Sequence, residues 1–148
     1  MKSQPEVDAN RMAVLGNSKG GELALLLGAT YPEDIKLVVG YAPSGIVWQG
    51  IPFDREAYYG VPRSSWSLRG EPVPFARFAR VDIPEMVRMV GFYLGRRPIV
   101  GRIFYERVLD DKTAISVASI AVEKINGAVL VVSGTDDQMW PSTYFSEM

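Results

Sequence analysis

The sequence predicts an α/β fold with a parallel sheet, and three observations carry that expectation. Met12-Ala13-Val14-Leu15, Leu37-Val38-Val39 and Ala128-Val129-Leu130-Val131-Val132 are unbroken apolar runs, as expected of strands buried on both faces of a parallel sheet. Helical stretches lie between them, the pattern that sets strands side by side in parallel. A length of 148 residues suits one domain and suffices to bury a core.

Each element has a local reason. Lys19 to Thr30 reads as a helix with Leu23, Leu26 and Leu27 on one face and Glu22 near its positive end, stopped by Tyr31-Pro32. The second strand runs into a turn-rich Ala42-Pro43-Ser44-Gly45. Between the second and third strands lie roughly 85 residues, far beyond an ordinary crossover. Their first part, Ile46 to Arg80, is rich in Pro, Gly, Ser, Trp and Tyr and reads as irregular. Asp82-Ile83-Pro84-Glu85 looks like a capping box opening a helix with Met86, Met89, Val90, Tyr93 and Leu94 on one stripe. A second helix is expected from Ile99 to Leu109, with Val100, Ile103, Phe104 and Val108 inward. A third, from Lys112 to Glu123, carries small residues at Ala114, Val117, Ala118 and Ala121. Residues 46–126 thus form an insertion within one domain spanning 1–148, expected to be a lid over a site, with a helical layer on the sheet as the simpler reading.

Composition removes several classes of function. A net charge of −1 with scattered basic residues gives no electrostatic reason to expect nucleic acid or an anionic membrane as partner. No apolar run is long enough to span a bilayer, and no signal peptide follows Met1, so a cytoplasmic location is expected. Zero cysteines exclude disulfides and thiolate metal sites. Zero histidines remove the commonest general base and the commonest transition-metal ligand. Asp and Glu are dispersed without metal-ligand spacing, so no cofactor is implied.

One motif carries chemistry. Gly16-Asn17-Ser18-Lys19-Gly20 has the Gly-x-Ser-x-Gly pattern of a nucleophile elbow, and it follows a buried strand and opens a helix, as that motif requires. A turn this tight forces Ser18 into strained φ/ψ, and side chains at Gly16 and Gly20 are expected to collide across it. The strain is expected to lift the Ser18 hydroxyl above the sheet, where it would be a candidate nucleophile. The backbone N–H of Lys19 would be one oxyanion donor. The simpler reading is a serine N-cap in a glycine-rich turn. The second candidate is Gly134-Thr135-Asp136-Asp137, directly after the third strand. Sites in open α/β sheets lie at the carboxyl ends of strands, so this loop belongs on the side of Ser18. A carboxylate there can orient a histidine, although Asp136 and Asp137 can equally cap the helix that begins near Ser142. Residue types alone do not choose between the two aspartates.

Gly16 to Leu25 resembles the elbow of the acyl-CoA thioesterase and bile acid-CoA:amino acid N-acyltransferase family, in its C-terminal catalytic domain of α/β-hydrolase fold. Tyr41-Ala42-Pro43-Ser44-Gly45 and Val47-Trp48-Gln49-Gly50 resemble the segment that follows in that family, and Gly134 to Ser142 resembles its acid loop. The similarity runs from about Pro5 to the last residue. It implies Ser18 as nucleophile and Asp137, rather than Asp136, as triad acid. Acyltransferases of the family use cysteine where hydrolases mostly use serine, so Ser18 implies hydrolysis of an acyl-CoA or related thioester. Trp48, Phe53, Tyr58 and Trp66 are candidates for an acyl channel, with a place in the core as the simpler reading.

The departures from the family are also informative. Its histidine comes after the acid and beyond the helix near Ser142, and these 148 residues hold none. Its amino-terminal β-sandwich and the first strands of the hydrolase sheet have no counterpart, nor does the loop giving the second oxyanion donor. The expectation is therefore a partial α/β-hydrolase fold with about three strands, the elbow and a helical lid. A chain of this kind has an open sheet edge through which it can self-associate. Without a base, it is expected to give no useful turnover alone.

Overall fold

The computed structural model describes residues 4–50, 60–79 and 100–147, with Pro84, Val87, Val90, Gly91, Leu94 and Gly95 between the last two stretches. The chain divides into two compact units. One comprises Met1–Val47, Ser119–Thr135 and Ser142–Met148, and the other Trp48–Ala118 and Asp136–Pro141.

The first unit holds the parallel sheet. Its strands are β1 (Met12–Asn17), β2 (Ile35–Tyr41) and β5 (Ala128–Val132), in the order β1-β2-β5. All pairings are parallel, with Leu15 opposite Val39 and Val39 opposite Leu130. This is the predicted α/β class and part of an α/β-hydrolase fold. The crossover between β1 and β2 is α1 (Lys19–Thr30), with the bounds the sequence predicts.

The buried stripe of α1 differs from the expected one. Gly21, Ala24, Leu25 and Gly28 are buried, while Leu23, Leu26 and Leu27 are only half-buried. Small residues win because the helix lies very close to the sheet. A Cβ on Gly28 would come within 2.6 Å of a Val38 methyl, and one on Gly21 within 3.0 Å of Pro43 Cβ. Val38 is accordingly fully buried beneath the helix.

The strands are not buried on both faces, as their composition suggested. Leu15, Leu37 and Leu130 are 69%, 38% and 51% exposed, and the register places them on one face of the sheet. The α1 side carries the core instead. Past β2, Pro43, Ser44, Gly45, Ile46 and Val47 are all buried. The Ile120 amide donates to Gly45 O at 2.8 Å, holding this segment in place. The helix α4 (Ser142–Glu147) starts at the predicted point and buries Phe145.

In the second unit the described residues between Trp48 and Ala79 are mostly irregular, in keeping with the expectation for residues 46–80. They include a two-residue antiparallel pair, β3 (Ser67–Leu68) with β4 (Glu71–Pro72), turned through Arg69 and Gly70 at positive φ. Two of the expected helices are shorter than periodicity suggested: α2 is Arg102–Glu106 and α3 is Lys112–Ala118. In α3, Ile115 and Ala118 are buried while Val117 is exposed. Trp48 anchors this unit, 1% exposed and edge-on to Tyr105 at 5.0 Å between ring centres. Tyr105 in turn meets Phe78 and Trp140 at 5.4 and 5.6 Å. Trp48 is therefore core, while Phe53 and Tyr58 lie outside the described residues. Of the stripe expected around residue 90, Met86, Met89 and Tyr93 also lie outside them, and Val90 and Leu94 are exposed.

Candidate active site

The junction of β1 and α1 places Ser18 in a conformation that L-residues avoid. Its φ is 54° and its ψ −119°. A residue held there costs of order 1–3 kcal/mol and persists only where its surroundings over-determine it. Three backbone hydrogen bonds do so. The Ser18 amide donates to Tyr41 O at 2.8 Å, across the end of β2. Its carbonyl accepts from Gly21 N at 2.9 Å and Glu22 N at 3.1 Å, which starts the helix. Ser18 forms no side-chain capping bond and is exposed, so its hydroxyl is not spent on the helix terminus.

The two elbow glycines have unequal reasons. A Cβ at Gly16 would overlap the backbone carbonyl of Gly20, so no side chain fits there. A Cβ at Gly20 would meet nothing within 4 Å. The expected collision is thus confined to Gly16, because Gly20 already lies on the first turn of α1 with its Cβ direction pointing outward.

Lys19 carries a feature that the motif alone does not announce. Its ammonium donates to both carboxylate oxygens of Glu22, at 2.7 and 2.8 Å. Glu22 is fully buried, and the Lys19 side chain is 28% exposed. Burial pushes Lys19 below its ordinary pKa, against the opposing pull of the Glu22 charge and hydrogen bond. The spacing i,i+3 on a helix was the available signal for this pair.

The wall beside the elbow is Pro43, reached through a second strained residue, Ala42, at φ 41°. Pro43 touches the Cβ positions of both Gly21 and Gly40, so neither admits a larger residue without displacing it. Ser44 secures the turn that follows, its hydroxyl donating to Ile46 O at 2.8 Å.

Asp137 belongs to the second unit. Its Oδ1 accepts from the amides of Met139 at 2.9 Å and Trp140 at 3.3 Å. It therefore caps its own loop rather than α4. The Arg102 amide donates to Gln138 O at 3.3 Å, and its guanidinium reaches Asp137 O at 3.5 Å. Glu106, hydrogen-bonded to Arg102, raises the guanidinium above its ordinary pKa, with Asp137 and Asp136 adding to the effect. Asp136 is exposed and bonds to the Gln138 amide group. The two aspartates thus differ: one is pinned by backbone N–H groups, the other by a neighbouring side chain.

Among the described residues, no group of His, Cys, Asp and Glu could hold a metal ion, and no helix is long and apolar enough to cross a membrane. A cleft of about 350 Å³ lined by Val7, Asp8, Arg11, Met12 and Ala13 lies at the opposite end of β1 from Ser18.

The family model for the C-terminal domain of BAAT and acyl-CoA thioester hydrolases covers residues 1–148, the whole chain. No curated protein matches it.

Proposed function

The chain belongs to the BAAT / acyl-CoA thioester hydrolase C-terminal family, and from that premise we propose that it carries the nucleophile and acid of a serine thioesterase site. The observation behind this reading is the strained Ser18 at the carboxyl end of a parallel strand, with its hydroxyl uncommitted to the helix cap. A plain N-cap serine has no need of a positive φ.

In this reading Ser18 Oγ attacks the thioester carbonyl while a base takes its proton. The Lys19 N–H holds the oxyanion of the tetrahedral intermediate. Collapse breaks the carbon–sulfur bond, and the proton passes from the base to the departing CoA thiolate. Water then attacks the acyl-serine through the same base, releasing fatty acid and regenerating Ser18. Asp137 is the acid in this reading, and the two amides that donate to its Oδ1 hold the carboxylate in a fixed orientation. Residues 46–126 would act as the lid over the acyl chain.

The base is the missing part. None of the 148 residues is histidine, and removing one triad member costs on the order of 10⁴- to 10⁶-fold in rate. The second reading therefore stays in play: by itself the chain is a non-catalytic scaffold or binding form. The test is to sequence the gene past the Met148 codon and express the chain with and without any continuation it encodes. Ordinary acyl-CoA turnover by the 148 residues alone would overturn the need for an outside base. A continuation bearing histidine whose product still leaves Ser18 unlabelled by a fluorophosphonate would overturn the nucleophile assignment.

A further inference from the structure

Asp137 Oδ1 is held by the amides of Met139 and Trp140, at 2.9 and 3.3 Å. Each of those N–H groups shares a planar peptide unit with the carbonyl before it, Gln138 C=O and Met139 C=O. Both carbonyls lie against the start of α2. Gln138 O accepts the Arg102 amide at 3.3 Å. Met139 O packs on Gly101, the residue before α2, so closely that a Cβ there would stand 2.6 Å from it and 3.1 Å from Met139 Sδ. A side chain at 101 would therefore push the Met139–Trp140 peptide away.

The two peptide planes that hold the carboxylate are thus clamped at their far ends. Turning either plane would bend its N–H off Asp137, and a hydrogen bond weakens steeply below about 120°. Two further contacts act in the same sense. The Arg102 guanidinium reaches Asp137 O at 3.5 Å, and Tyr105 of α2 stands edge-on to the buried Trp140 ring at 5.6 Å. All these residues belong to the second unit. The Arg102 amide is also one of the first-turn donors that a helix cannot satisfy internally, so the loop supplies a partner that α2 lacks.

We infer that Gly101 and Arg102 are positioning residues for the Asp137 carboxylate, acting through the Met139 and Trp140 peptides. This rests on the reading of Asp137 as the acid, and it gives the 46–126 insertion a second task. Besides covering an acyl chain, the insertion fixes the direction in which the acid points.

The experiment has two arms, both on the 148-residue chain. The first reads hydrogen exchange at the Met139 and Trp140 amides by NMR, with the α1 amides as the measure of global stability. Gly101→Ala is expected to speed exchange at both loop amides, relative to α1, by at least about fivefold. Loop exchange that is unchanged, or that rises only as much as α1 does, overturns the inference alone. The second arm reads labelling of Ser18 by a fluorophosphonate, with imidazole added as external base, by mass spectrometry. An O–P bond forms, fluoride leaves, and imidazole takes the hydroxyl proton. Asp137→Ala and Gly101→Ala are each expected to slow labelling by at least about tenfold. The Gly101→Ala/Asp137→Ala double variant is expected to be no slower than Asp137→Ala, because Gly101 acts through that carboxylate. Losses that add mean a merely structural role for Gly101 and overturn the inference. A parent chain unlabelled at Ser18, or an Asp137→Ala chain labelled as fast as the parent, overturns the reading of the site and this inference with it. If Gly101→Ala does not fold, Arg102→Pro takes its place in both arms, with the same expected and overturning results. Proline suits the first helical position and removes the amide that Gln138 O accepts.

Discussion

Ser18 and Ala42 make the same move one strand apart. Each follows directly on a parallel strand, each has positive φ (54° and 41°), and each donates its amide to the last residue of the neighbouring strand. Ser18 N reaches Tyr41 O at 2.8 Å, and Ala42 N reaches Val132 O at 2.6 Å. The carboxyl ends of β1, β2 and β5 are thereby laced together at the level of the elbow. Two strained residues in such register mark a place where the fold spends stability on geometry.

That strain is measurable. Replacing Ser18 with glycine removes the steric penalty of φ 54° and is expected to raise stability by about 1 kcal/mol, net of the glycine's extra unfolded entropy. Ser18→Ala keeps the penalty and should leave stability within about 0.5 kcal/mol of the parent. Urea unfolding followed by fluorescence separates the two. An alanine variant as stabilised as the glycine one would show that the backbone is not strained at this position.

Gly16 and Gly20 are predicted to behave oppositely despite their equivalence in the motif. Gly16→Ala sets a Cβ on the Gly20 carbonyl and should cost more than about 3 kcal/mol or prevent folding. Gly20→Ala fills open space on the first turn of α1 and should gain about 0.5–1 kcal/mol from helix propensity. Thermal unfolding of both variants checks the pair.

Asp137 holds its loop through Oδ1, so its replacement separates a cap from a charge. Asp137→Asn keeps a carbonyl oxygen for the Met139 and Trp140 amides and should cost less than about 0.5 kcal/mol. Asp137→Ala leaves both amides without that acceptor and should cost about 1–2 kcal/mol. Asp136→Ala, at an exposed position, should change little. Equal losses at 136 and 137 in denaturant titration would contradict the distinction between the two aspartates.

How much of this was legible beforehand follows from how local each signal is. The three apolar runs and the bounds of α1 depend on neighbouring residues, and each apolar run lies within the corresponding strand. The buried stripe of α1 did not follow from its leucines, because close approach of helix to sheet selects glycine and alanine over bulk. Lys19 and Glu22 had a visible i,i+3 spacing, yet full burial of the carboxylate depends on tertiary packing around it. Ala42 carries no sequence mark of positive φ, since alanine is not the residue that such a backbone prefers. Residue types did not separate the aspartates; the resemblance implied Asp137, and their hydrogen bonds tell the two apart.

The exposed face of the sheet sets the last expectation. Ala13, Leu37 and Ala128 form one row of the register, Leu15, Val39 and Leu130 the next, and Tyr41 and Val132 continue it. Leu15, Leu37, Tyr41, Leu130 and Val132 are all at least 38% exposed. Parallel sheets ordinarily have both faces covered, so an apolar face exposed around the buried Val39 favours association. Among the described residues β1 also has no strand on its outer edge, and its six residues contain neither a charge nor a proline to deter pairing. The 148-residue chain is expected to elute from gel filtration ahead of a monomer and to bind an apolar dye. Leu15→Lys places a charge on both the face and the edge strand, at a site 69% exposed, and should shift the chain toward monomer without loss of cooperative unfolding. A clean monomer with no dye binding in the parent chain would mean that this face is covered in solution.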